Sequence, residues 1–488
     1  MSATMGKELE SFLGDLLGII DILVGFSQYL PEIKKPEKEV PFKQKMLWTL
    51  AAILIFFVLG NIALIGLDTS NPYIAQQIVF AQTILASQVG TIITAGIGPI
   101  VMASIFLQLF LGAGIININL SDPEGRAKFQ SLQKILAVLL CFVEGFIYVA
   151  SGMLAPIGGA GLLNPMTWFI VLQIAIGSLI LLYLDEIVSK YGIGSGISLF
   201  IAAGVSGQLF WQVFQPAISS TIGITQGGTI WQFLFVTPGD WTLLLPILGV
   251  IVIFLVVVFA EGMHVNIPIT FGQSGVGGRY PVKFLYVSNM PVILAMALFM
   301  NFQLWALFLK NIPIIGQIMN VLSWATMMPS AGNNVLFSPI RTGGGSLLGG
   351  IIDQGLTSLT INALIQAGFF MVILIVACIV FGWFWVQMGN QSTEAVAAQL
   401  ERSGMQIPGF RRDKRVIEKV LERYIPPITI LGSIFVALLA GFGDIILAGL
   451  ASGTGILLTV GIVYRFYEEI AKSQAEALAP LLAKMGGK

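Results

Sequence analysis

The sequence contains few of the residues on which catalysis and metal binding usually depend. Histidine occurs once, as His264, and the two cysteines, Cys141 and Cys378, lie far apart in apolar runs. One histidine is too few for a histidine-based metal site and leaves a single candidate for a Ser-His-Asp triad. Two cysteines so placed exclude a disulfide framework. The pattern of a phosphate-binding P-loop does not occur either. We therefore expect no enzymatic activity, no metal and no cofactor.

Charge is equally scarce. Charged residues make up 10% of the 488 residues and hydrophobic residues make up 56%, whereas an ordinary soluble domain has roughly 25% charged residues. The 25 basic and 25 acidic residues cancel, so the net charge indicates neither a nucleic-acid partner nor an acidic one. This composition predicts a multi-pass membrane protein.

Apolar runs of about 20 residues, the length that crosses a bilayer as a helix, define the predicted architecture. They predict an all-α protein with ten transmembrane helices, at 47–66, 92–116, 133–153, 165–187, 195–216, 241–263, 284–309, 358–386, 425–448 and 453–470. All basic residues except Lys310 and Arg341 then fall on the side of the N-terminus. By the positive-inside rule, both termini are expected to be cytosolic.

The ten spans divide into two halves of five, and because five is odd, the halves enter the membrane from opposite sides. Acidic residues among the apolar ones of the first 30 residues argue against a signal peptide and favour a helix in the membrane interface. The predicted units are an interfacial helix with a basic anchor (1–46), an N-terminal half (47–216), an external hinge loop (217–240), a C-terminal half (241–470) and a cytosolic tail (471–488).

A polar segment precedes the second span. Residues 71–90 carry several glutamines among residues of good helix propensity, and they are too polar to face lipid along their whole length. Backbone at membrane depth is tolerated where it is buried in protein or lines a water-filled cavity. The segment therefore predicts a short re-entrant helix, with an external helix lying flat on the membrane as the alternative.

Four spans are interrupted by glycine or proline, and they are the second and fifth spans of each half. Interruptions at matched positions of two inverted halves indicate the functional site. The selected residues beside these breakers are all branched aliphatics: Ile97, Val101, Ile197, Ile201, Ile293 and Leu458. An aliphatic constriction excludes water and ions by dewetting, which predicts a pore, although lipid-facing or packed residues would give the same pattern.

Several sequence blocks carry a resemblance to a known family. From about Lys43 to the C-terminus they are GTIITAGIGPIV, CFVEGFIYV, LDEIVSKYGIGSGISLFIAAGVS, YPVKFLYVSNMPVIL, GFRRDKRVIEKVLERYIPP and GTGILLTVGIVYRFYE. In this order they resemble the large subunit of the protein-conducting channel, SecY in prokaryotes and Sec61 alpha in eukaryotes, and they are similar to its archaeal members. The resemblance implies a channel that passes unfolded polypeptides across the membrane and releases hydrophobic segments sideways into lipid.

The resemblance also implies roles for individual residues. The six aliphatic residues above are similar to the pore ring of the family, and 72–89 is similar to its plug, the short helix that fills the outer funnel at rest. The plug residues are Pro72, Ile74, Ile78, Phe80, Ile84 and Leu85. Glu144 and Asn301 resemble polar residues of the lateral gate between the second and third spans and the seventh and eighth. Met102 stands at a gate position where relatives can carry threonine.

Basic cytosolic loops resemble the ribosome docking site of the family. The residues are Arg279, Lys283, Arg411, Arg412, Lys414 and Arg415. Topology alone also places basic residues here, but such a cluster suits phosphate contacts on ribosomal RNA. The other partners implied are small subunits of the SecE/Sec61 gamma and Sec-beta types, signal peptides, nascent secretory or membrane proteins, and membrane lipid, in an archaeal plasma membrane.

A secondary transporter with five plus five inverted spans, taking up a small solute, is the alternative function. A transporter requires polar groups that converge near the middle of the membrane. Glu144, however, stands nearly alone as a charge inside a span. The sequence therefore favours the channel.

Overall fold

Most of the chain folds into helices. The computed structural model describes residues 25, 30–38, 40–68, 88–112, 115–116, 118, 123–159, 161, 163–215, 219–220, 223–224, 228–236, 244–271, 276–310, 312–327, 358–388, 391–402, 405–406, 414–447 and 453–485. Within these ranges seven helices are long and apolar enough to cross a membrane, and two apolar helices are shorter, Gly98–Gly112 and Ile247–Glu261. The chain is therefore a multi-pass membrane protein, as its composition predicts.

Each of the ten predicted spans overlaps one helix, although the first and third helices begin five and ten residues before their predicted starts and the seventh begins six residues after it. The helices are α1 (Phe42–Gly60), α2 (Gly98–Gly112), α3 (Pro123–Ala150), α4 (Pro165–Tyr191), α5 (Gly196–Phe214), α6 (Leu245–Glu261), α7 (Met290–Phe308), α8 (Ser358–Met388), α9 (Ile425–Leu447) and α10 (Gly453–Met485). Local sequence explains several of the boundaries. At α4, for example, the side chain of Asn164 accepts a hydrogen bond from the backbone N–H of Met166 at 3.0 Å, and Pro165 occupies the first turn.

The second span differs from its prediction, because regular helix begins at Gly98 and not near residue 92. The preceding residues form turns in which Gly90 and Gly96 have positive φ angles of 88° and 56°, which glycine adopts without steric cost. The first span ends at Gly60. Residues 62–64 then run beside 90–92, with a β-bridge between Ala63 and Thr91.

Helix neighbours recur in the two halves. In both α1–α5 and α6–α10, the first helix packs against the fourth and the fifth, the second against the third, the third against the fourth, and the fourth against the fifth. Across the halves, α2 packs against α7 and α5 packs against α10. The four interrupted spans therefore meet in two matched pairs. The largest buried apolar cluster contains residues from all ten helices.

A small sheet lies in the loop between α6 and α7, where hydropathy predicts no span. Strand β3 (His264–Phe271) pairs antiparallel with β4 (Val276–Lys283), and Thr270 and Phe271 pair with Gln406 and Met405 of the two-residue strand β5. Val265, Ile267 and Ile269 alternate with more polar residues or proline, which is a pattern of period two that could have predicted the hairpin. The predicted external hinge loop likewise contains a short antiparallel hairpin of two-residue strands, β1 (Ser219–Ser220) and β2 (Gly223–Ile224).

Among the described residues, five shorter helical segments lie outside the predicted spans, and the tenth helix extends beyond its span. The segments are Thr229–Trp231 followed by the π-helix Gln232–Val236, Ile315–Thr326, Thr393–Arg402 and Lys414–Leu421. Helix α10 continues to Met485 and so occupies most of the predicted cytosolic tail. The last two helices before α9 pack with β4 in a separate apolar cluster that includes Val282, Leu400 and Leu421.

Candidate pore and lateral gate

The first two predicted ring residues stand at the start of α2. Ile97 directly precedes the helix, and its carbonyl oxygen accepts a hydrogen bond from the N–H of Val101 at 3.1 Å. The two side chains therefore lie one turn apart on the same face. Ile97 is 0% and Val101 4% exposed, so the broken start of the span holds both in the protein interior.

The other predicted ring residues occupy the first two turns of α5, α7 and α10. Ile201, Ile293 and Leu458 are buried, and Ile197 is half-buried against the same cluster. Five of the six predicted ring residues thus belong to the largest apolar cluster and Ile197 packs against it, and none of the six is exposed. The four helices that carry them are the two matched pairs, α2 with α7 and α5 with α10.

The predicted gate residues are buried where α7 packs against α2 and α3. Glu144 in α3 and Asn301 in α7 are 3% and 1% exposed, and Met102 in α2 is also buried. Asn301 donates a hydrogen bond from Nδ2 to the carbonyl oxygen of Ala297, 3.0 Å away in its own helix. Within the described part of the chain, Oε1 of Glu144 has no hydrogen-bond partner.

Aromatic side chains close this seam, and sequence reasoning did not select them. Phe106 of α2 stacks on Trp305 of α7, with ring centroids 6.1 Å apart. Phe146 of α3 meets Phe308 of α7 edge to face at 6.2 Å. Such pairs contribute beyond the area they bury. The spacing of Asn301 and Trp305, one helical turn apart, could have indicated that both face one seam.

Part of the predicted site lies outside the described residues. The plug residues from Pro72 to Leu85 belong to this part, as do Arg411 and Arg412. Arg279 lies in β4 and Lys414 begins the helix Lys414–Leu421, although only their backbone positions are described. The exposed residue Arg415 lies in the same helix.

Lys283, another predicted docking residue, is held by contacts within the protein. Its Nζ lies 2.6 Å from Oε1 of Glu468 and 5.4 Å from the ring centroid of Tyr464. The pair is partly exposed, at 34% for Lys283 and 40% for Glu468. The ammonium group therefore has a carboxylate partner on α10, which limits its availability to an external phosphate.

The described residues contain no group of three or more histidine, cysteine, aspartate or glutamate side chains that could hold a metal ion. Cys141 and Cys378 are both free thiols in the buried core. The chemistry that this site offers is therefore apolar: branched aliphatic side chains at the centre and aromatic pairs at the seam.

Comparisons with known proteins agree with the predicted resemblance. The SecY family model matches residues 91–467. Over 475 residues the chain is 42% identical to the protein translocase subunit SecY of Methanocaldococcus jannaschii, covering 95% of this chain and 99% of the relative. The chain belongs to the SecY family.

Solved structures agree with this membership. One, described as the structure of a protein conducting channel, matches with a TM-score of 0.76 and 40% identity over 95% of this chain and 99% of that chain. Another is Sec61 in the canine ribosome-channel complex from the endoplasmic reticulum, with a TM-score of 0.73 and 40% identity over the same shares. SecY membership confirms the ten-helix fold and the protein-translocation function, and it disfavours the small-solute transporter.

Proposed function

We propose that Ile97, Val101, Ile197, Ile201, Ile293 and Leu458 form the constriction through which the polypeptide passes. The observation that carries this proposal is their joint placement: of six residues chosen from four interrupted spans, five lie in one apolar cluster and Ile197 packs against it. Branched aliphatic side chains exclude water and ions from a narrow passage. They make no directional bonds, so a moving chain of any sequence can push them aside and they close behind it.

The seam between α2, α3 and α7 is proposed as the lateral gate. Its contacts include the stacked pair Phe106 and Trp305 and the buried gate residues Glu144 and Asn301. A signal peptide has an apolar core of about 7–15 residues. Such a core replaces aromatic contacts with apolar contacts of its own, which offsets the separation of α7 from α2. Longer apolar segments then leave into lipid by partition.

The plug and the partners complete the proposal. Residues 72–89 fill the outer funnel at rest and move aside when the gate opens. The basic cytosolic loops dock the ribosome, which is supported by the match to a channel solved in a ribosome complex. The remaining partners are the SecE/Sec61 gamma and Sec-beta type subunits. The protein resides in an archaeal plasma membrane with both termini cytosolic, which is supported by the distribution of basic residues.

The boundaries between the units follow the recurring helix neighbours. The N-terminal half (47–216) and the C-terminal half (241–470) each repeat the same packing pattern, and 217–240 joins them as an external hinge. The two halves meet through α2 with α7 and through α5 with α10. The first pair can therefore separate while the second stays together. This geometry supports a passage that opens both along its axis and sideways.

Ion conductance of the reconstituted channel complex tests the proposed constriction. The double variant Ile197→Gly/Ile201→Gly should conduct ions at rest, because glycine leaves the passage wide and wet. The matched control is Ile170→Gly/Ile174→Gly, which removes the same side chains at the same spacing from fully buried positions of α4 in another apolar cluster. A leak in the first variant alone supports the proposal. Equal conductance in both variants contradicts it.

A further inference from the structure

Two aspartates hold the first turns of helices that carry ring residues. Oδ1 of Asp185, near the end of α4, accepts a hydrogen bond from the backbone N–H of Ile197 at 2.8 Å. Oδ1 of Asp444, near the end of α9, accepts one from the backbone N–H of Thr454 at 2.9 Å. The hydroxyl of Thr454 donates a second hydrogen bond to the other oxygen of Asp444. In each case a carboxylate satisfies an N–H group that the helix itself leaves unpaired.

The two contacts occupy equivalent places in the two halves. Helices α4 and α5 are the fourth and fifth of the first half, and α9 and α10 are the fourth and fifth of the second. The acceptor precedes the donor by 12 residues in the first contact and by 10 in the second. Because the halves are inverted, one contact stands at the cytosolic side of the membrane and the other at the external side. The arrangement therefore occurs once in each half of the protein, and it is not confined to one side of the membrane.

Close backbone packing accompanies both contacts. A Cβ atom added to Gly196 would lie 2.5 Å from Cα of Asp185, and one added to Gly453 would lie 2.1 Å from the carbonyl carbon of Gly443. A side chain at either glycine would force the helix start away from its aspartate. The carboxylates also suit their positions electrostatically, because negative charge is favourable at a helix N-terminus.

The ring side chains lie within one turn of these contacts. Ile197 is itself the residue whose N–H is bound, and Ile201 follows one turn later. Leu458 follows Thr454 by one turn. A shift in the start of α5 or α10 therefore moves ring side chains directly, without any change in the rest of the helix bundle.

We propose that Asp185 and Asp444 are positioning residues of the pore: by fixing the first turns of α5 and α10 they set the direction of Ile197, Ile201 and Leu458 and so maintain the ion seal. This inference rests on the proposed constriction. The inference adds to that constriction two matched polar residues, one aspartate in each half.

Resting ion conductance of the reconstituted full-length channel complex tests the inference. Asp185→Ala and Asp444→Ala should each raise the leak about tenfold, which corresponds to about 1.4 kcal/mol and is typical of a buried hydrogen bond left unmade. Asp185→Asn and Asp444→Asn keep an acceptor oxygen and should restore the seal. Two controls are matched by helix. Ser178→Ala removes a buried hydroxyl of α4, and Thr429→Val removes one of α9 that bonds only within its own helix.

The outcomes separate the inference from the proposed function. A leak in Ile197→Gly/Ile201→Gly combined with a normal seal in both alanine variants overturns the positioning role and leaves the constriction standing. A normal seal in the glycine variant overturns the constriction itself. If the alanine variants do not assemble, Asp185→Glu and Asp444→Glu provide the test, because they keep the carboxylate but displace it by one methylene. An intermediate leak is expected from them, and a wild-type seal contradicts the inference.

Discussion

Asn289 and Leu457 are joined by a hydrogen bond between α7 and α10: Nδ2 of Asn289 lies 3.2 Å from the carbonyl oxygen of Leu457. Asn289 precedes α7 directly and its own carbonyl accepts the N–H of ring residue Ile293 at 3.3 Å. Leu457 precedes ring residue Leu458. This contact thus connects the backbones beside two proposed ring positions from different interrupted spans.

Glycine at position 461 makes room for this contact. A Cβ atom at Gly461 would lie 1.8 Å from Nδ2 of Asn289, so Gly461→Ala should break the hydrogen bond and destabilise the protein by about 1–3 kcal/mol, as overpacking usually does. Thermal unfolding in detergent measures the effect. Gly368→Ala is the control, because a Cβ atom there meets nothing within 4 Å. Equal unfolding temperatures for the two variants would show that the close contact is unimportant.

Glu144 should make the closed seam less stable than an apolar residue would. Its side chain is buried, and Oε1 has no hydrogen-bond partner among the described residues. Glu144→Leu should therefore raise the stability of the closed channel by about 1–3 kcal/mol, the cost of an unsatisfied buried polar group. A thermal unfolding midpoint above that of the wild type checks this result.

The same variant tests the gate role of Glu144. If the seam opens for apolar segments, Glu144→Leu should require a more hydrophobic segment for insertion into lipid, measured with a graded series of test segments. Ser178→Ala, which removes a buried hydroxyl of α4 that has no hydrogen-bond partner in the described part of the chain, should leave this threshold unchanged. A more stable Glu144→Leu channel with an unaltered threshold would assign Glu144 to packing alone.

The segment before α1 is bound to α3 and to the end of α4. Glu186 binds Lys134 at 3.0 Å and Lys190 at 2.8 Å. Lys134 donates a hydrogen bond to the carbonyl oxygen of Pro31 at 2.8 Å, and Lys190 donates one to that of Ile33. The ammonium groups of Lys134 and Lys190 therefore connect the carboxylate of Glu186 to the backbone of the segment before α1.

Removal of that carboxylate should loosen the segment. Glu186→Ala should increase trypsin cleavage after Lys34 roughly fivefold, because weakly exposed ion pairs contribute about 1 kcal/mol and cleavage follows the open population. Glu124→Ala removes the more exposed pair with Lys128 and should leave cleavage unchanged. If Glu186→Ala is cleaved at the wild-type rate, the ion pairs do not hold this segment.

Arg415 is exposed, whereas Lys283 is partly buried beside Glu468, and on this difference in exposure the two should contribute differently to ribosome binding. Arg415→Ala should reduce the slope of log ribosome affinity against log salt concentration by about one, because one phosphate contact is lost. Lys283→Ala/Glu468→Ala removes a pair that is already internally neutralised and should leave the slope unchanged. Affinity measured over a series of salt concentrations decides between them. A larger loss from the paired variant would place the phosphate contact at Lys283.

Hydropathy and charge predicted the helices of this fold because lipid imposes a strong and local requirement. Each span must be long and apolar, and the basic residues must remain on one side. The limits of α2 were predicted less well, since Gly90 and Gly96 start turns that depend on their φ angles. The β3–β4 hairpin was missed because a search for spans ignores alternation over eight residues.

The proposed ring residues could be selected from the sequence, whereas the contacts that would support them could not. Glycine and proline mark the interrupted spans, so the aliphatic residues beside them can be selected without coordinates. The contacts of Asp185 with Ile197 and of Asn289 with Leu457 join different helices, and their partners depend on how those helices pack. The aromatic pair Phe106 and Trp305 was missed for the same reason, because aromatic residues occur throughout apolar spans.

Photo-crosslinking to a translocating chain tests the central claim most directly. A photoreactive amino acid at Ile97 or Ile293 should crosslink to a secretory chain stalled on a bound ribosome. The same probe at Leu172 or Leu431, which are exposed on the outer surfaces of α4 and α9, should crosslink to lipid and not to the stalled chain. Adducts from the ring positions alone are the predicted result. Absence of adducts at Ile97 and Ile293, or equal adducts at all four positions, would contradict a polypeptide path through this ring.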